Sequence, residues 1–166
     1  DVAWFDVNAG STGFYRVAYD PASLAALARN LPALAPAERI GLLADEWALV
    51  RAGEREIGDV AELLAAFSDE EDHAVLDEVV GRLALIEQRL VPEADRPRLR
   101  ELVARLFRPA LDPIGWEPAP GEGDGVRLRR AALVRAVGVV GRDPTLAAEA
   151  SARLERFAAG ERDALE

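Results

Sequence analysis

The chain has 166 residues, half of them hydrophobic and 30% charged, with a net charge of −10. That balance suits one globular domain long enough to bury a core, and the acidity argues against a sequence-independent grip on nucleic acid or on anionic lipid, both of which reward positive charge. With no Cys there is no disulfide framework, thiol nucleophile or thiolate metal site. No apolar run reaches the length of a membrane span, which leaves the cytoplasm as the default compartment.

All 20 basic residues are Arg, and Met is absent even at position 1. The opening Asp1-Val2-Ala3-Trp4-Phe5 therefore reads as the inside of a longer protein. Residues 2–7 and 12–19 are rich in aromatic and β-branched side chains and are separated by Asn8-Ala9-Gly10-Ser11, which predicts a β-hairpin. Tyr15, Val17 and Tyr19 fall on one face of the second strand, Phe14 and Arg16 on the other. A lone hairpin is marginal in water, so residues 1–20 are expected to close a preceding β-sandwich.

From residue 21 to residue 166 the pattern is helical. Asp20-Pro21 gives an N-cap followed by Pro at the first helical position, and Leu24, Leu27, Ala28 and Leu31 form the apolar stripe. A second helix carries Ile40, Leu43, Trp47 and Val50 and stops at Gly53; a third spans about residues 59–67. Ser68 or Asp69 opens a fourth, long helix that Pro92 ends, and Asp95 caps a fifth. The one long loop, DPIGWEPAPGEGDG over residues 112–125, precedes two more helices at about residues 126–140 and 144–159, joined at Asp143-Pro144. Short turns between such helices predict antiparallel neighbours. The expected fold is mainly α, a HEAT-like α-solenoid of stacked helix pairs behind a short N-terminal β-hairpin.

Candidate chemistry fails on donor count. A catalytic zinc site needs about three protein ligands, and His73 is the only histidine. Glu70-Glu71-Asp72-His73 has the E-x-x-H spacing of di-iron bundles only once, where two copies are required, so these acids read as the start of a helix. Ser11, Ser23, Ser68 and Ser151 show no nucleophile-elbow pattern. Gly121-Glu122-Gly123-Asp124-Gly125 lacks the Lys and the preceding strand of a phosphate loop and reads as a flexible linker. Arg127, Arg129, Arg130 and Arg135 form the densest basic patch: a solvated helix face, or an anchor for a carboxylate. With Leu128, Ala131, Ala132 and Val139 as the buried stripe, Arg127 and Arg130 lie at its edge and are the candidate contacts for a peptide carboxylate.

The order of motifs resembles a known family. Asn8-Ala9-Gly10, Gly13-Phe14-Tyr15-Arg16-Val17 and Tyr19-Asp20 are similar to the strand that closes the small β-sandwich of aminopeptidase-N-like zinc peptidases and leads into their helical C-terminal domain. The segment from Arg39 to Gly53, RIGLLADEWALVRAG, resembles an early helix of that domain, and Ile114-Gly115-Trp116 followed by Gly121-Glu122 and Arg129-Arg130 resembles a later loop and helix start. The resemblance implies a non-catalytic domain that caps the active site and shapes the substrate cavity of a zinc aminopeptidase. Its partners would be the catalytic domain upstream in the same chain and a peptide substrate. Zinc would belong to the parent and no cofactor to this segment, and Asn8, Gly13, Tyr15, Arg16, Tyr19 and Asp20 would form the junction. The alternative is a free-standing helical-repeat module that binds a partner protein; an independent hydrolase is disfavoured by the single histidine.

Overall fold

The structure, a computed structural model, describes residues 4–165. Seven α-helices follow one another: α1 (Pro21–Ala28), α2 (Pro36–Ala52), α3 (Ile57–Ala65), α4 (His73–Leu85), α5 (Arg96–Leu111), α6 (Asp124–Val134) and α7 (Pro144–Ala158). α4 and α6 each run on into a π-type turn, over Ile86–Leu90 and Arg135–Val140. The chain forms two compact units, residues 1–83 and 84–166. The N-terminal segment belongs to the first of them.

The expected β-hairpin is not formed. Among the described residues there is no strand, and a single 3₁₀ turn, Ala9–Ser11, interrupts irregular backbone. The first three residues of the expected first strand lie partly outside the described chain. The physical reason is visible in the hydrogen bonds. Side chains, not a facing strand, take the backbone groups: the Val7 N–H donates to the Tyr19 hydroxyl (3.0 Å), and the Val17 N–H donates to Asp45 Oδ2 (3.1 Å).

In the first unit the helix stops and starts follow local rules. Asp20 accepts from the Ala22 and Ser23 N–H groups and caps α1. Gly53, at φ 74°, ends α2 in the left-handed conformation that a β-carbon disfavours. α4 begins later than its acidic run suggests, because Asp72, not Ser68 or Asp69, accepts from the Ala74 and Val75 N–H groups. The core joins the side chains of Leu27, Leu43, Leu64, Phe67, Val75, Leu76, Val79 and Val80, with Leu43, Leu64 and Val79 wholly buried. On α2 the buried face is Arg39, Leu42, Leu43, Asp45, Glu46 and Leu49. Of the expected stripe Ile40, Leu43, Trp47 and Val50, Leu43 is buried and the other three are half-buried, because Arg39, Asp45 and Glu46 with their charged partners occupy part of the inner face.

In the second unit Phe107, Leu133, Ala136 and Val137 are fully buried. The expected stripe on α6 is likewise corrected: Leu128 is 50% and Val139 66% exposed, whereas Ala132, Leu133, Ala136 and Val137 face inward. Asp143 caps α7 through the Thr145 and Leu146 N–H groups, as its Asp-Pro signal predicts. Asp95 stands at the N-cap position of α5 but makes no capping bond with its side chain.

Candidate functional site

Within the first unit, the N-terminal segment is fastened to α2 by carboxylates that project from that helix. Glu38 sits at the third position of α2 and reaches back to the Ala35 N–H (2.6 Å), while its other oxygen accepts from the Gly10 N–H (2.6 Å). These two amides, Gly10 first, hold its carboxyl below the ordinary range. About two turns further on, Asp45 receives the Arg16 guanidinium at 2.9 Å and the Val17 amide. The next residue, Glu46, is wholly buried and paired with Arg55, whose Nη2 also donates to the Tyr19 carbonyl (2.7 Å).

Asn8 brackets Gly13 from both sides: its Oδ1 accepts from the Gly13 N–H (2.8 Å) and its amide donates to the Gly13 carbonyl (3.2 Å). A β-carbon at Gly13 would stand 2.1 Å from the Tyr15 ring, so that close approach requires glycine. Tyr19 is buried, and burial pushes its hydroxyl up to about 12; it donates to Asp6 Oδ1 at 3.0 Å. Tyr15 is different. Its hydroxyl donates to the Val7 carbonyl, but its ring is 52% exposed, so the expectation that Tyr15 and Tyr19 pack alike holds for Tyr19 alone.

These residues line a cavity of about 430 Å³ whose walls include Asn8, Phe14, Tyr19, Leu27, Leu42 and Asp45. Phe14 is fully exposed beside it, and Phe5, Val7 and Tyr15 are each about half exposed. The site is therefore polar and well satisfied below, apolar and open above.

Within the second unit two arginines fasten the long loop. Arg130 is buried, donating to the carbonyls of Gly115 (3.0 Å) and Ile114 (3.2 Å) and pairing in a fork with Glu122. Arg130 holds the Glu122 carboxyl down to about 2. Arg153 pairs with Glu117 and Glu149 and stacks on Trp116, 5.1 Å from the ring centroid. The glycine-rich tract is accordingly not a free linker. The guanidinium of Arg130, a candidate peptide-carboxylate contact by its position, faces the loop, where three loop acceptors converge on it. Arg127 is exposed, with Asp124 at 3.6 Å.

The candidate chemistry of residues 70–73 resolves into structure. Glu70 pairs with the buried Arg39, Nε to Oε2 at 2.8 Å, while Arg39 also donates to the Leu34 carbonyl. Sequence reasoning missed the roles of Asp45, Glu46 and Arg55. The signal was present: acids at 45 and 46 share the helical spacing of Leu42 and Leu49, and a carboxylate on an apolar face calls for a buried partner.

In each unit, charged side chains bind the chain's own loops and leave a helical domain. The chain belongs to the ERAP1-like C-terminal domain family, whose sequence model matches residues 4–165. It is 32% identical over 147 residues to Aminopeptidase M1-A of Oryza sativa subsp. japonica, covering 86% of this chain and 17% of that protein. It is 30% identical over 163 residues to Aminopeptidase M1 of Arabidopsis thaliana, covering 95% and 18%. It is 27% identical over 134 residues to the Tricorn protease-interacting factor F2 of Thermoplasma acidophilum, covering 81% and 17%. The chain thus spans less than a fifth of the length of these relatives. No helix among the described residues is long and apolar enough to cross a membrane.

Proposed function

We propose that the chain is the non-catalytic C-terminal domain of a zinc aminopeptidase, which caps the active site and shapes the cavity that receives peptide. The observation that carries the reading is the open apolar face of the N-terminal segment. Phe14 is fully exposed and Phe5 and Tyr15 half exposed, in a segment whose backbone and polar groups are already satisfied by side chains. Such a face costs free energy in water and gains it when covered. Similarity to parts of much longer aminopeptidases supports a covering sandwich and catalytic domain upstream in the same polypeptide.

The residues of this chain do not fit a zinc site. His73 begins α4 beside Asp72, which caps that helix, and no group of three or more His, Cys, Asp or Glu side chains comes together among the described residues. In this proposal zinc belongs to the parent polypeptide. Of the two arginines considered for a peptide carboxylate, Arg127 keeps that role in the proposal, since its guanidinium faces solvent.

The test is Phe14→Asp, made both in the full-length polypeptide and in the 166-residue chain. The full-length protein is expected to melt at a lower temperature, while the isolated chain, in which Phe14 touches water, melts unchanged. Equal behaviour of the two would contradict a covered face.

A further inference from the structure

In the second unit a groove of about 510 Å³ runs between α5 and the junction that leads into α7. Four guanidiniums line it, those of Arg100, Arg105, Arg108 and Arg142, against the carboxylates of Glu101 and Asp143. This is a local excess of positive charge on a chain whose net charge is −10. Two of the four have carboxylate partners: Arg100 pairs with Glu87 at 2.5 Å, and Arg108 pairs with Asp143. Arg105 and Arg142 have no acid within ion-pair distance among the described residues, although Glu101 lies one turn before Arg105 on the same helix.

The backbone at Arg142 adds to this. It sits at φ 51°, a left-handed conformation that residues with a β-carbon rarely adopt and that glycine or asparagine fills more cheaply. Neighbouring backbone bonds hold it there: the Gly141 N–H to the Ala136 carbonyl (2.8 Å) and the Asp143 N–H to the Val137 carbonyl (3.1 Å). The junction thereby presents an arginine to a groove that three others already line. The guanidinium forks of Arg105 and Arg142, which have no acid partner of their own among the described residues, are matched to carboxylates.

We infer that this groove binds an acidic peptide segment through its side-chain carboxylates, with Arg105 and Arg142 as the residues that recognise it. The pairs Arg100–Glu87 and Arg108–Asp143 hold the flanking arginines in place. The inference does not depend on the aminopeptidase reading, since a peptide without a free amine serves as ligand.

The experiment is fluorescence anisotropy on the intact protein with a labelled hexaglutamate peptide blocked at both termini. Binding is expected at low salt and is expected to weaken steeply as ionic strength rises. Arg105→Ala with Arg142→Ala is expected to weaken it by about tenfold or more, as the loss of two charge-assisted contacts would. Because neither side chain has an internal partner, the melting temperature of that variant is expected to stay unchanged. Arg98→Ala, exposed and outside the groove, is expected to bind like the parent. Undiminished binding by the double variant would overturn the inference. So would preference for hexaglutamine with a free C-terminus, which would assign the site to a terminal carboxylate, or no binding of hexaglutamate at all.

Discussion

Glu46→Ala is expected to destabilise the first unit by about 3–5 kcal/mol, the cost of leaving one member of a buried ion pair alone. Glu46 is wholly buried, and the Arg55 side chain is only 10% exposed. The two meet twice, Nε to Oε2 at 2.7 Å and Nη2 to Oε1 at 3.2 Å. The same Nη2 donates to the Tyr19 carbonyl, so the pair ties α2 to the end of the N-terminal segment as well as to the turn after α2. Removing the carboxylate strands a guanidinium in a dry environment. Removing both partners, Glu46→Ala with Arg55→Ala, is expected to cost less than the sum of the single changes. Denaturant titration of the three variants measures this; additive losses, or a Glu46→Ala loss under about 1 kcal/mol, would show that the pair is not coupled. The pH dependence has a definite sign. Burial raises the Glu46 carboxyl above its ordinary 4.5, against the opposing pull of Arg55. This group therefore favours the fold most below about 4.5, and its contribution falls as pH rises through the raised value.

Arg130→Ala is expected to release the loop between α5 and α6. Two loop carbonyls and the Glu122 carboxylate lose their shared donor. Hydrogen exchange of the loop amides is expected to rise by roughly tenfold or more, as when a local opening becomes easier by one strong hydrogen bond. Arg130→Lys retains the charge but not the fork and is expected to fall between the two. The acid response has the opposite sign to that of Glu46. Glu122 is lowered from 4.5 to about 2, so its contribution is complete above about 4.5 and is lost as pH falls toward about 2. Loop exchange that is unchanged in Arg130→Ala would contradict the fastening role.

Local signals carried most of the helical reading. Asp20-Pro21 and Asp143-Pro144 start helices as their capping chemistry requires, and Gly53 ends α2, because these rules act within one turn of chain. What sequence could not supply was the choice of partner. Tyr15, Val17 and Tyr19 have strand periodicity, yet Val17 finds Asp45 and Tyr19 finds Asp6 and Val7, so the pattern has no ladder to join. The basic patch on α6 misled for the same reason. Arg130 and Arg127 are one turn apart and equivalent by spacing, and the return of the loop, with Glu122 and the Ile114 and Gly115 carbonyls, distinguishes the buried one from the exposed one. The family was legible because its motifs coincide with these fasteners: Asn8 and Gly13, Asp45, and the loop around Trp116 each hold a bend in place.

We propose a division of labour in which this chain caps and shapes while catalysis lies elsewhere in the polypeptide. The most direct measurement compares zinc content and aminoacyl-arylamide hydrolysis of the full-length polypeptide with those of the 166-residue chain. The full-length protein is expected to retain zinc through gel filtration and to turn over substrate, and the chain alone to do neither. Stoichiometric zinc and turnover by the chain alone, or a full-length protein without aminopeptidase activity, would contradict it.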